Sequence, residues 1–73
     1  AFGHVMRQLR TEREWSQLEL EFRLNSSSKQ ISDVELGKKK VSLLYAKRVA
    51  DVFGITLHEL FDLIEQYIKE TEG

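Results

Sequence analysis

Residues 16–37 read Ser-Gln-Leu-Glu-Leu-Glu-Phe-Arg-Leu (16–24), Asn-Ser-Ser-Ser (25–28) and Lys-Gln-Ile-Ser-Asp-Val-Glu-Leu-Gly (29–37). Ser16 and Glu19 have the S-x-x-E spacing in which a hydroxyl and a carboxylate satisfy each other's orphan amides at a helix N-terminus. Trp15 and Leu20 stand where a hydrophobic staple closes over that box. Ser27 and Gln30 repeat the box as S-x-x-Q. Asn25 between them is one of the few non-glycine residues that tolerates a left-handed backbone. Ile31 and Val34 recur at helical spacing, and Gly37 can supply a positive φ at the C-cap. The stretch therefore predicts two short helices crossing at a tight break, with Ser28, Lys29, Ser32 and Asp33 facing outward on the second.

Strict alternation of Leu18, Leu20, Phe22 and Leu24 competes with that reading, because on periodicity alone it describes a half-buried strand. The caps decide for helix. On a helix Leu20 and Leu24 form one stripe, and Leu18 with Phe22 form a second, nearly opposite stripe that needs a cover. The expectation is cover from within the chain, by the N-terminal segment or the last helix.

Upstream, Phe2, Val5, Met6 and Leu9 follow the i, i+3, i+4, i+7 pattern of a first helix from Phe2 to about Glu14. Downstream, Ser42 caps a fourth helix over 43–53, with Leu43, Ala46, Val49, Ala50 and Phe53 inward and Gly54 ending it. Ile55 and Leu60 staple the box Thr56 to Glu59 at the start of a fifth helix, about 57–70. Its Leu57 and Leu60 are assigned to the core, and the polar end, Glu70 to Gly73, is expected to fray.

The chain has 73 residues, no cysteine and no proline. One compact domain with a small core is expected, without disulfides or thiolate metal sites, in a reducing compartment. Neither a membrane span nor a cleavable signal is visible. The net charge of −1 disguises a polarity: residues 1–48 carry ten of the eleven basic residues against six acids, and 49–73 carry one, Lys69, against six acids. A domain so polarised can turn its basic side to DNA and keep its acidic end away. The inventory does not favour an enzyme. His4 and His58 lie on different predicted helices in no ligand or triad spacing, and Ser26–Ser28 lacks the glycines of a phosphate loop. No metal, cofactor or small-molecule ligand is expected.

The ordered set Ser16-Gln17, Leu20, Leu24, Ser27, Ile31-Ser32, Val34-Glu35 and Gly37-Lys38 continues with Ala50, Phe53-Gly54-Ile55 and Glu59-Leu60. It resembles the phage-repressor and Cro type of helix-turn-helix regulator, the xenobiotic-response-element family, over about Val5 to Phe61. Three positions depart from that family's habit: Glu21 for a small alanine, Asn25 for glycine and Ser26 for an apolar residue. They bear on the packing of the turn.

The resemblance implies an all-α, five-helix, lambda-repressor-like domain that binds duplex DNA as a homodimer on an inverted-repeat operator and regulates transcription. It further implies an Arg10–Glu35 pair tying the first helix to the third. Gln17 is the candidate contact to the DNA backbone at a helix N-terminus. Lys29 is the candidate donor to guanine, Asp33 the acceptor from cytosine N4, and Ser28 and Ser32, with Ser27 at the cap, are weaker readers. Lys38, Lys39 and Lys40 are the phosphate clamp. Phe61, Ile64 and Ile68 on the last helix are the dimer candidates. Such a regulator, bacterial or phage-encoded, is expected in the cytoplasm, associated with the nucleoid. The competing reading is a protein-interaction adaptor or antitoxin-like module docking through Leu18, Phe22 and the acidic last helix. Because the chain starts at Ala1, it is also read as the DNA-binding part of a longer regulator.

Overall fold

The computed structural model describes residues 1–72. Among them are five helices and no strand: α1 Phe2–Glu12, α2 Gln17–Leu24, α3 Ser28–Glu35, α4 Leu43–Phe53 and α5 Leu57–Glu72. The strand-like alternation of residues 18–24 is overruled by the cap. The Ser16 side chain accepts from the Glu19 amide at 3.0 Å, and Ser27 and Ser42 do the same for Gln30 and Tyr45 at 3.1 Å each. Only Thr56 and Glu59 complete a reciprocal box, each side chain bonded to the other's amide at 3.0 Å. The Thr56 amide, with the Thr56 hydroxyl beside it, holds the Glu59 carboxyl below its ordinary range. In the other two boxes the third-residue side chain turns elsewhere: Glu19 accepts from Arg23, and Gln30 accepts from the Ser26 hydroxyl.

Four helices close through a residue in the left-handed region. At α3, Gly37 (φ 74°) lets the Lys38 amide reach the Asp33 carbonyl at 2.8 Å and its own amide reach Val34 at 3.1 Å. Gly54 closes α4 likewise, and Asn25 (φ 55°) takes the position at α2. At α1 the residue is Glu14 (φ 58°), two places beyond the last helical residue, so this helix stops short of the expected boundary. At the other end, α5 runs on through Glu70–Glu72, which were expected to fray; Gly73 lies outside the described residues.

Met6, Leu20, Leu24, Ile31, Val49 and Leu60 are fully buried in a core to which every helix contributes. Gly3 is buried where α1 crosses α3: a β-carbon there would stand 2.0 Å from the Val34 carbonyl oxygen. Trp15 stacks on Phe53 with ring centroids 5.4 Å apart, and Arg13 bonds the carbonyls of Leu9 and Phe53 at 3.0 Å, joining the C-terminal ends of α1 and α4.

Two assignments are corrected. Leu43 is 66% exposed, and Tyr45 takes the inward place with Ala46, Val49, Ala50 and Phe53. Leu43 is the first residue of α4, and its side chain leans back toward the N-terminus, past the end of the core. The Leu18–Phe22 stripe has no internal cover, at 71% and 83% exposed. The physical reason is the packing order: α2 packs on α3 and α4, while α5 lies against α1 and α4.

Glu14→Gly is expected to stabilise the fold by about 1 kcal/mol, because it relieves a left-handed non-glycine residue and gives back part of that gain in unfolded-chain entropy. Gly3→Ala should destabilise by about 1–3 kcal/mol, since α1 must lift off α3. Urea unfolding of the two variants beside the parent checks both signs.

Candidate nucleic-acid interface

The two helices of the crossing are locked from behind. Glu35, at the end of α3, accepts from Arg10 Nε at 2.8 Å and Nη2 at 3.1 Å, a bidentate pair, and from Gln17 Nε2 at 3.0 Å. Arg10 Nη1 also donates to the Trp15 carbonyl at 2.9 Å. The pair lies within the fold, with 11% of the Arg10 and 3% of the Glu35 side chain exposed. One carboxylate thus fixes α1, the start of α2 and the end of α3 relative to one another. The expected Arg10–Glu35 tie is present, with Gln17 as an additional member. The Gln17 carboxamide is consequently occupied, and what the start of α2 offers an anion is its first-turn amides.

On α3 the outward set is only partly outward. Ser28 and Lys29 are exposed, whereas Ser32 and Asp33 are half-buried. The Lys29 ammonium lies 3.2 Å from the Asp33 carboxylate, of which 14% remains exposed. Asp33 was expected to stand free as an acceptor; it is instead partnered along its own helix, four residues from Lys29, the spacing at which helical side chains meet. Ser27 is engaged as the α3 cap, and the Ser28 hydroxyl donates to the carboxylate of Glu21. That bond explains the glutamate in place of the small residue: it spans the turn and sets a negative charge against the α3 N-terminus, where the helix dipole favours it.

Lys38, Lys39 and Lys40 are all exposed. Lys39 and Lys40 line a cleft of about 140 Å³ between α3 and α4, together with Gln30, Val34, Ser42 and Tyr45. The lysines therefore flank α3 on one side and the N-terminus of α4 on the other. Burial pushes the Tyr45 hydroxyl up from its ordinary pKa, with the Ser26 hydroxyl and the Arg48 charge opposing. Arg48, which sequence reasoning passed over, donates to the Leu24 carbonyl at 2.6 Å and fastens the end of α2 to α4. Nothing in its spacing marks that role, because the partner is a backbone oxygen twenty-four residues away.

On α5, Phe61 and Ile68 are exposed. Ile64 is half-buried against the core, with Leu57 and Tyr67, and Leu60 is fully buried. His4 is exposed and stacks on Tyr67 with centroids 4.0 Å apart, and His58 is exposed beside Asp62 at 3.4 Å. No group of three or more histidine, cysteine or acidic side chains able to hold a metal occurs among the described residues. No helix among them is long and apolar enough to cross a membrane.

A family model described as helix-turn-helix matches residues 6–60 of the chain. That span opens at Met6 in α1 and closes at Leu60 in α5, so it contains the Glu35 network, the turn, α3, the lysine loop and α4. No curated protein matches the chain.

The Glu35 network predicts an asymmetry. Arg10→Met strands a buried carboxylate and should destabilise by about 3–5 kcal/mol, whereas Arg10→Met with Glu35→Leu should recover much of the loss. Denaturant titration of the single and double variants measures the difference.

Proposed function

The chain belongs to the Cro and phage-repressor type of helix-turn-helix proteins, a family of DNA-binding transcription regulators, and from that membership we propose that it occupies an inverted-repeat operator as a homodimer. The observation that carries the reading is the cleft lined by Lys39 and Lys40. It joins an exposed lysine loop to the flank of α3 and to the N-terminus of α4, two features that attract phosphate, beside the helix offered to the major groove.

In this reading Lys38–Lys40 and the first-turn amides at Gln17 hold the sugar-phosphate backbone and set the register. Lys29, with Ser28 and Ser32, reads base edges. Its ammonium donates to guanine O6 and N7 while Asp33 holds the side chain along the helix. Asp33 thus acts mainly by aiming Lys29 and by refusing nearby phosphates. Ser27 keeps α3 capped in the groove. Phe61 and Ile68, with the outer edge of Ile64, pair α5 with its symmetry mate. A two-fold axis there sets two α3 helices about 34 Å apart, on half-sites one turn of duplex apart.

Selection from a random duplex pool, followed by titration of the winning sequence at several salt concentrations, tests the proposal. An enriched inverted repeat with a steep salt slope is expected; weak binding at low salt without enrichment would sink it. Replacing Lys38, Lys39 and Lys40 together by alanine should weaken binding on every sequence and flatten the log–log salt slope by about 2 to 3. Lys29→Ala should instead relax preference at one base position, by about 1–3 kcal/mol.

A further inference from the structure

An open groove of about 790 Å³ runs along the outer face of α2. Leu18, Glu19, Glu21 and Phe22 line it from the helix, and Ser26 and Ser27 close its end at the turn. Leu18 and Phe22 are one turn apart and stand largely in solvent on the same face. Two large apolar side chains held together beside a concavity differ from scattered surface leucines, because a single partner can cover both at once. The charge of the groove narrows the choice of partner. Two carboxylates line it and no base does.

Glu19 is bonded to Arg23 and Glu21 to Ser28, yet a carboxylate has acceptor capacity for further donors. DNA does not suit the groove, since carboxylates repel phosphate and the two apolar side chains offer nothing to it. A second α2 face does not suit it either, because it would bring four carboxylates together. The exposed face of α5, with Asp62, Glu65, Glu70 and Glu72, carries the same sign.

We infer that the outer face of α2 docks a cationic amphipathic helix of another protein, whose aliphatic side chains cover Leu18 and Phe22 and whose Lys or Arg side chains meet Glu19 and Glu21. The contact is a helix laid along a short apolar groove with charged flanks, so the occupant needs only two or three turns. Because Ser27 both ends the groove and caps α3, the partner is brought alongside the helix proposed to enter the groove of DNA. The contact itself does not depend on DNA, and it is tested without any.

Isotope-labelled protein is titrated with a synthetic amphipathic peptide of about 18 leucines and lysines, five turns long, and with its leucine–glutamate counterpart. Amide shifts confined to residues 16–28 with the lysine peptide, and none with the glutamate peptide, are expected. The Leu18→Ser, Phe22→Ser double variant should weaken the lysine peptide at least about tenfold, and Glu19→Gln with Glu21→Gln should weaken it and reduce its salt dependence. The serine variant, altered only at exposed positions, should retain its melting curve and its selected DNA sequence. Shifts centred on α5, undiminished binding by the serine variant, or concentration-dependent shifts of the same α2 amides without peptide would each overturn the assignment. The last would give the face to a second copy. Failure of DNA selection leaves every one of these readings unchanged.

Discussion

The arrangement of α1, α2 and α3 hangs from the carboxylate of Glu35. It is almost fully buried, and it receives two bonds from Arg10 and one from Gln17. A carboxylate so removed from water is tolerable only because its acceptor sites are filled, and its two donor residues come from different parts of the fold. Arg10 brings α1 and Gln17 brings the first turn of α2, while Glu35 itself is the last residue of α3. The angle between the two helices of the turn is therefore set by directional bonds as well as by the apolar contacts of Leu20, Leu24, Ile31 and Val34. The absence of a side chain at Gly3 then lets α1 close on α3 within reach of those bonds. Packing supplies most of the stability in so small a core, and the buried network supplies the register.

The second constraint is electrostatic, and it works by subtraction. The N-terminal two thirds of the chain are basic, but the positive charges do not all serve an open surface. Arg10, Arg13 and Arg48 are spent on Glu35 and on the carbonyls of Leu9, Trp15, Leu24 and Phe53. Arg23 lies over the Trp15 ring, its guanidinium 4.2 Å from the centroid. Lys29 is held by Asp33, which leaves the loop 38–40 as the concentrated positive feature beside α3. A helix such as α3, which presents a paired lysine and short serines, has little nonspecific attraction for phosphate of its own. In the proposed complex, attraction to phosphate would fall to the loop, and discrimination among bases to the helix.

The fold was legible because its punctuation is local. Ser16, Ser27, Ser42 and Thr56 each sit within three residues of the amide they cap, and Gly37 and Gly54 end helices by backbone freedom alone, so a linear reading finds them. The interfaces were less legible, because they depend on atoms far apart in the chain. Nothing near Glu14 announces a left-handed residue, and nothing near Gly3 announces the Val34 carbonyl above it. The Arg10–Glu35 pair was reached through family resemblance, and the third member, Gln17, only through coordinates. For the proposed DNA contacts, sequence indicates which residue types could serve but not which are already engaged. Gln17, Ser28 and Asp33 all proved to have partners inside the protein. Leu43 failed for a geometric reason, since periodicity marks the inward face of a helix but not where the core along that face ends.

The exposed apolar faces of α5 and α2 differ in their relation to the core. On α5, Phe61 and Ile68 flank Ile64, which packs back on the core, so this surface is continuous with the interior and follows the long axis of a sixteen-residue helix. A partner there extends the core, as the interface of a small homodimer does. On α2, Leu18 and Phe22 point directly away from Leu20 and Leu24, and the helix between them isolates the face from the core. Nothing in the packing of the monomer calls for large apolar side chains at those two positions. They are helix-compatible residues standing where polar ones would serve solubility better, next to the carboxylates of Glu19 and Glu21. The proposed self-association through α5 would cover that helix's own apolar stripe and leave that of α2 untouched. Their opposite relation to the core is the reason the proposed dimer would not cover both.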